Sequence, residues 1–81
     1  MDFTDNQKII IEVLQSKSCF SENYSMDPKD LISDCKEKGL SDINELEKAL
    51  VSLIDSDIIE YDMDDNADVS SLWLMEEQQT V

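Results

Sequence analysis

The sequence predicts a small α+β domain of three helices followed by a C-terminal β-hairpin, and three observations carry that prediction. Apolar residues recur at helical spacing in three segments, and each segment begins just after a residue that caps helices. Past the third segment the pattern changes to alternation, Ile59-Glu60-Tyr61-Asp62-Met63, and a second apolar run, Leu72-Trp73-Leu74-Met75, follows across a polar loop. The chain has 81 residues, enough for one core and no second lobe; a domain of that size buries roughly 60% of its unfolded surface.

Thr4 followed by Gln7 has the form of a capping box, and behind it Ile9, Ile10, Val13 and Leu14 share one face, so the first helix runs from about 5 to 17. Residues 18–26 mix turn formers with Phe20 and Tyr24. This connector is expected to tuck one of those rings onto the core and has room for one short strand. Asp27-Pro28 starts the second helix, because Asp accepts from free amides and Pro has no amide to lose. Leu31, Ile32 and Cys35 line its inner face, and Gly39 ends it as a left-handed cap after Lys36-Glu37-Lys38.

Asp42 and Glu45 suggest a second capping box, followed by Ile43, Leu46, Ala49, Leu50, Leu53 and Ile54 on one face of a helix from 43 to 55. Residues 57–63 read as a strand, 64–68 as a polar loop and Val69 to Met75 as the returning strand. The competing arrangement extends the third helix through 58–63 and leaves a helical bundle without a hairpin. Residues 1–75 thus form one acidic domain, and 76–81 are expected to be a flexible acidic tail.

This order is the layout of a small winged helix, three helices plus a C-terminal β-hairpin wing. Glu45-Leu46-Glu47-Lys48-Ala49-Leu50-Val51-Ser52-Leu53, with a hairpin ending in Ser70-Ser71-Leu72-Trp73-Leu74, resembles the third helix and wing of the winged-helix superfamily, including the Zα group that binds left-handed duplexes. The likeness covers residues 5–75 in layout, but only the third helix and hairpin in residue pattern. Zα proteins carry an asparagine and a tyrosine on the exposed face of the third helix, where this chain has Glu47 and Val51; the wing tryptophan is matched by Trp73. A glutamate repels the phosphate that would approach it, so the resemblance implies a shared scaffold and not a shared ligand.

The charge points the same way. Twenty Asp and Glu oppose six basic residues, a net charge of -14, and all six are lysines. Phosphate neutralisation and guanine reading depend on Lys and Arg, so direct nucleic-acid binding is not expected. After Lys48 no basic residue occurs, whereas Asp55, Asp57, Glu60, Asp62, Asp64, Asp65, Asp68, Glu76 and Glu77 follow. The outward side of the third helix is expected to show Asn44, Glu45, Glu47, Lys48, Ser52 and Asp55, the face a DNA-binding winged helix sets in the major groove.

No histidine, glycine-rich phosphate loop or oriented nucleophile is present, so neither an enzyme nor a cofactor site is expected. Cys19 and Cys35 lack the paired spacing of a zinc site and are read as reduced and core-facing. Asp62-x-Asp64-x-Asn66-x-Asp68-x-Ser70 alternates oxygen side chains as an EF-hand loop does. That loop needs Gly at its sixth position and Glu at its twelfth, where Ala67 and Trp73 stand. A solvated acidic tip is the reading, with weak calcium binding left open. No run approaches the roughly 20 apolar residues of a membrane span, and the first residues lack a basic leader. The expected location is the cytosol, or the host cytosol or nucleus if the chain is viral.

The functional expectation is a non-enzymatic module whose acidic face docks on a basic, nucleic-acid-binding protein by imitating phosphates, as a phage or viral inhibitor of host machinery does. The residues assigned to it are Glu45, Glu47, Asp55, Asp62, Asp64, Asp65 and Asp68, with Tyr61 and Trp73. The alternative is a structural or regulatory subunit that assembles through apolar contacts, as a homodimer or in a transcription complex, with charge serving solubility. The oligomeric state, monomer or homodimer, stays open. So does Trp73, which either anchors the hairpin to the core or stands beside Tyr61 in an interface, and so do Met26, Met63 and Met75, as core filling or adaptable contact.

Overall fold

A computed structural model describes residues 3–21 and 23–75, and the predicted acidic tail lies outside the described residues. The element order is α1 (Asp5–Ser16), α2 (Pro28–Glu37), α3 (Ile43–Asp55), β1 (Ile59–Met63) and β2 (Val69–Leu74), a small α+β fold of three helices and an antiparallel hairpin. Among the described residues, no helix is long and apolar enough to cross a membrane.

Each helix starts where its sequence signal stands. Thr4 Oγ1 accepts the Gln7 amide at 3.2 Å while Gln7 Oε1 accepts the Thr4 amide at 2.8 Å, a complete capping box. Asp27 Oδ1 accepts the Lys29 amide at 2.8 Å, and Asp42 Oδ1 accepts the amides of Asn44 and Glu45 at 2.9 and 3.3 Å.

The helix ends share one device that the sequence reveals only once. Ser18, Gly39 and Asp57, each two residues past the last helical one, all have positive φ (57°, 103° and 60°). In each case the next residue's amide donates to a carbonyl five back: Cys19 to Leu14, Leu40 to Cys35 and Ile58 to Leu53, all at 2.9 Å. The left-handed residue's own amide bonds three back, to Gln15, Lys36 and Ile54. These are Schellman caps, and the residue after each cap is buried along with the helical residue whose carbonyl it holds. The cap at Asp57 ends α3 and turns the chain into β1, which rules out the continuous third helix.

Glycine adopts this conformation without strain, and Ser and Asp do not. Ser18→Gly and Asp57→Gly are each expected to raise the unfolding free energy by about 0.5–1 kcal/mol in urea titrations. Gly39→Ala is expected to lower it by about 1 kcal/mol, although nothing lies within 4 Å of the added Cβ.

The core lies between the helices and one face of the hairpin. Ile10, Val13 and Leu14 of α1, Leu31 and Cys35 of α2, Leu46, Ala49 and Leu53 of α3 and Ile59, Leu72 and Leu74 of the hairpin meet there, closed by Cys19, Met26, Leu40 and Ile58 from the connections. Of the two connector aromatics, Phe20 packs against this core and Tyr24 is exposed.

The hairpin register pairs Ile59 with Leu74, Glu60 with Trp73, Tyr61 with Leu72 and Asp62 with Ser71; a bulge then brings Met63 opposite Val69. The expected connector strand is reduced to one bridge and one further hydrogen bond on the far side of β2. Met26 and Leu72 exchange bonds of 2.8 and 2.9 Å, and the Leu74 amide donates to Cys19 O at 2.9 Å. So β2 is flanked on both sides, and β1 is an outer strand.

Candidate functional site

The carboxylates assigned to partner binding come from two elements. Glu45, Glu47 and Asp55 lie on α3, and all are exposed. Its open face consists of Asn44, Glu47, Lys48, Val51 and Asp55, with half-exposed Val51 among the charges. Glu45 sits on the flank toward α1, in a depression shared with Thr4, Asn6 and Gln7. Ser52 differs from its outward assignment. It is part-buried, with Oγ donating to Ala49 O and accepting from Gln7 Nε2, both at 2.7 Å, so it ties α3 to α1.

Asp62, Asp64, Asp65 and Asp68 occupy the end of the hairpin and are exposed. Asp64 organises this tip. Its Oδ1 accepts the amides of Asn66 at 2.8 Å and Asp68 at 3.1 Å, and its own amide donates to Asp68 O at 2.9 Å. Asp62 Oδ1 takes the Met63 amide beside the bulge, whereas Asp65 makes no such bond. Asp64 and Asp68 share a depression with Asp27, Pro28, Lys29, Val69 and Ser70, so the tip sits beside the start of α2 and not on the open face of α3. The acidic surface is therefore two patches.

Each patch has one lysine beside it, Lys48 on α3 and Lys29 near the tip, and among the described residues neither forms an ion pair. Among the described residues the ion pairs are Lys38–Glu12 at 3.3 Å and Lys17–Asp34 at 3.8 Å, both between α1 and α2 with their C-caps. The α3 and hairpin carboxylates have none. Nor does the hairpin tip gather a cation site: among the described residues no group of three or more His, Cys, Asp or Glu side chains is placed to hold a metal ion. Ala67, where an EF-hand has glycine, takes the left-handed conformation itself, at φ 63°.

Tyr61 and Trp73 do not stand together. Successive strand residues face opposite ways, and Trp73 is cross-strand from Glu60, so its side chain lies on the hairpin face away from Leu72 and Leu74. It is half-buried and packs on the rim of the core. Tyr61 lies on the core face opposite Leu72 but is 40% exposed, and Met63, next along that face, is 51% exposed. Of the other methionines, Met26 is core and Met75 half-buried. Ile43 was assigned to the apolar face yet is half-exposed, since it occupies the first position of α3.

Both cysteines are free and buried. Burial pushes the Cys35 thiol up to about 11, with Asp34 adding to the shift and Lys38 opposing it. Burial also raises Cys19, against Lys17. Thiolate is the reactive form, so at pH 8 Cys35 is expected to react with iodoacetamide far more slowly in the folded chain than in urea. The folded state holds this proton more tightly than the unfolded state, so stability is intact below pH 9 and falls as pH rises toward 11. A urea series from pH 8 to 11 checks the slope, and Cys35→Ala should flatten it.

No family model, curated protein or solved structure matches the chain.

Proposed function

We propose that the chain is a non-enzymatic binding module on a winged-helix scaffold that docks its acidic surface on a basic protein, of the kind that otherwise holds nucleic acid. The observation that carries this reading is the unpaired state of the carboxylates. Among the described residues the two ion pairs lie between α1 and α2 with their C-caps, and Glu45, Glu47, Asp55 and the hairpin aspartates face solvent without an ion pair, with Lys48 and Lys29 the lysines beside them. Carboxylates fixed on a rigid helix and hairpin occupy positions that phosphates would take in a Lys/Arg groove, and the opposite charge of the two surfaces speeds their encounter. The Met26 bridge and the Leu74–Cys19 hydrogen bond on the far side of β2 support the winged-helix reading, because they put the connector at the third strand position of that layout. The absence of histidine from the sequence and the burial of both thiols favour binding over catalysis.

At low salt the protein is expected not to retain duplex DNA on a filter, yet to displace duplex from a DNA-binding protein whose groove it fits. Retention of duplex by the chain itself sinks the proposal.

A second reading has its own observation. Tyr61, Met63, Val51 and Ile43 are half-exposed apolar residues, which suits a subunit that assembles through apolar contacts. A monomeric mass by light scattering at high concentration and high salt removes its homodimer form.

A further inference from the structure

The backbone of β1 offers a more specific recognition element. The Met75 amide donates to Ile58 O at 3.0 Å, so Ile58 and Met75 form a hydrogen-bonded pair of the ladder. In antiparallel strands such pairs alternate, so the bonded pairs continue at Glu60/Trp73 and Asp62/Ser71. The backbone groups of Ile59 and Tyr61 then point away from β2. The far side of β2 agrees, since Leu72 and Leu74, their cross-strand partners, direct their amides outward to Met26 and Cys19. Among the described residues nothing pairs with the outward N–H and C=O of Tyr61, and Glu60 through Met63 are exposed.

An open strand edge accepts another strand, and its side chains select which one. A second copy is disfavoured: in a two-fold antiparallel pair centred on Tyr61, Glu60 of one copy faces Asp62 of the other, and like charges directly opposite destabilise a sheet. Reversing the sign of the incoming strand turns the same two positions into attractions. On the other face, Tyr61 and Met63 offer apolar surface to every second residue.

Resting on the acidic-docking reading and deepening it, we propose that the β1 edge takes an extended segment of the partner as an added strand, its Lys or Arg side chains opposite Glu60 and Asp62 and its intervening apolar side chains on Tyr61 and Met63.

The probe is a short capped peptide alternating Lys and Val, compared with a peptide of the same composition in block order, at low salt. Trp73 is the single tryptophan and lies cross-strand from Glu60, so its fluorescence reports binding, and hydrogen exchange reports the Tyr61 amide. The alternating peptide is expected to bind at least about tenfold more tightly than the block peptide and to protect the Tyr61 amide. Methylating the peptide's pairing amides should abolish that preference with the protein unchanged, and Tyr61→Pro, which removes an outward donor and no ladder bond, should do the same. Glu60→Lys with Asp62→Lys should abolish binding, while Glu37→Lys, exposed on α2 and outside the docking residues, leaves it unchanged. Equal binding of both peptides, indifferent to methylation, overturns strand addition but leaves acidic docking standing. Absence of peptide binding while a basic protein still docks does the same, and loss of both overturns the two together.

Discussion

Leu72→Ala is expected to lower the unfolding free energy by about 3–5 kcal/mol, the largest stability effect of any single truncation in the hairpin. Leu72 has no exposed surface and sits in the middle strand position, cross-strand from Tyr61 on one side and bridged to Met26 on the other. The side chain fills the space where the hairpin meets the helices, so its loss removes apolar burial and leaves a cavity that two-sided pairing keeps from collapsing. Small domains have about 5–15 kcal/mol in total, so a measurable unfolded fraction should appear without denaturant at 37 °C. Tyr61→Ala, one strand over and 40% exposed, should cost well under half as much. Urea unfolding of the pair measures both, and equal losses would place the hairpin's packing elsewhere.

Reversing one charge in each acidic patch, Glu47→Lys with Asp65→Lys, is expected to weaken docking on a basic partner by about a hundredfold at low salt, roughly tenfold for each. The two sites lie on different elements, one on the open face of α3 and one at the hairpin tip, so their effects should add. Asp65 is the better probe at the tip. Asp64 holds the amides of Asn66 and Asp68, and its substitution would disturb the turn as well as the charge. Asp65 carries charge without that duty, and the double variant should match the parent's stability within about 0.5 kcal/mol. Isothermal titration at two salt concentrations separates the effects, because the loss should shrink as salt screens exposed charges.

The helix starts were legible because each is a local contract between a capping side chain and amides two or three residues on, as Thr4, Asp27 and Asp42 show. The same locality exposed Gly39 and concealed its two counterparts. Ser18 and Asp57 take an identical conformation, but residue type does not advertise it, and only the buried residue after each cap hints at the motif. The strand alternation from Ile59 to Met63 correctly gave the hairpin but could not say how far its core face is covered, and Tyr61 and Met63 share a face with buried Ile59 and still meet solvent.

Long-range placement was beyond the pattern. The Gln7–Ser52 bond depends on α1 crossing α3 at one height, and the tip's position beside Asp27 and Lys29 depends on how the hairpin twists. Neither is encoded in spacing along the chain. The acidic surface was therefore read as one face, whereas the fold divides it between α3 and the hairpin tip. Charge excess itself survives any fold, because with six lysines and twenty acids most carboxylates must stand unpaired wherever the chain puts them.

The most direct test of acidic docking is a salt-gradient elution of basic proteins from the immobilised chain, with duplex DNA as competitor and the Glu47→Lys, Asp65→Lys double variant alongside. The account predicts retention of a nucleic-acid-binding protein at low salt, its release by moderate salt and by duplex, and its absence from the variant column. A partner held through high salt, unmoved by duplex and bound equally by the variant would contradict it and place the interface on Tyr61, Met63 and Val51.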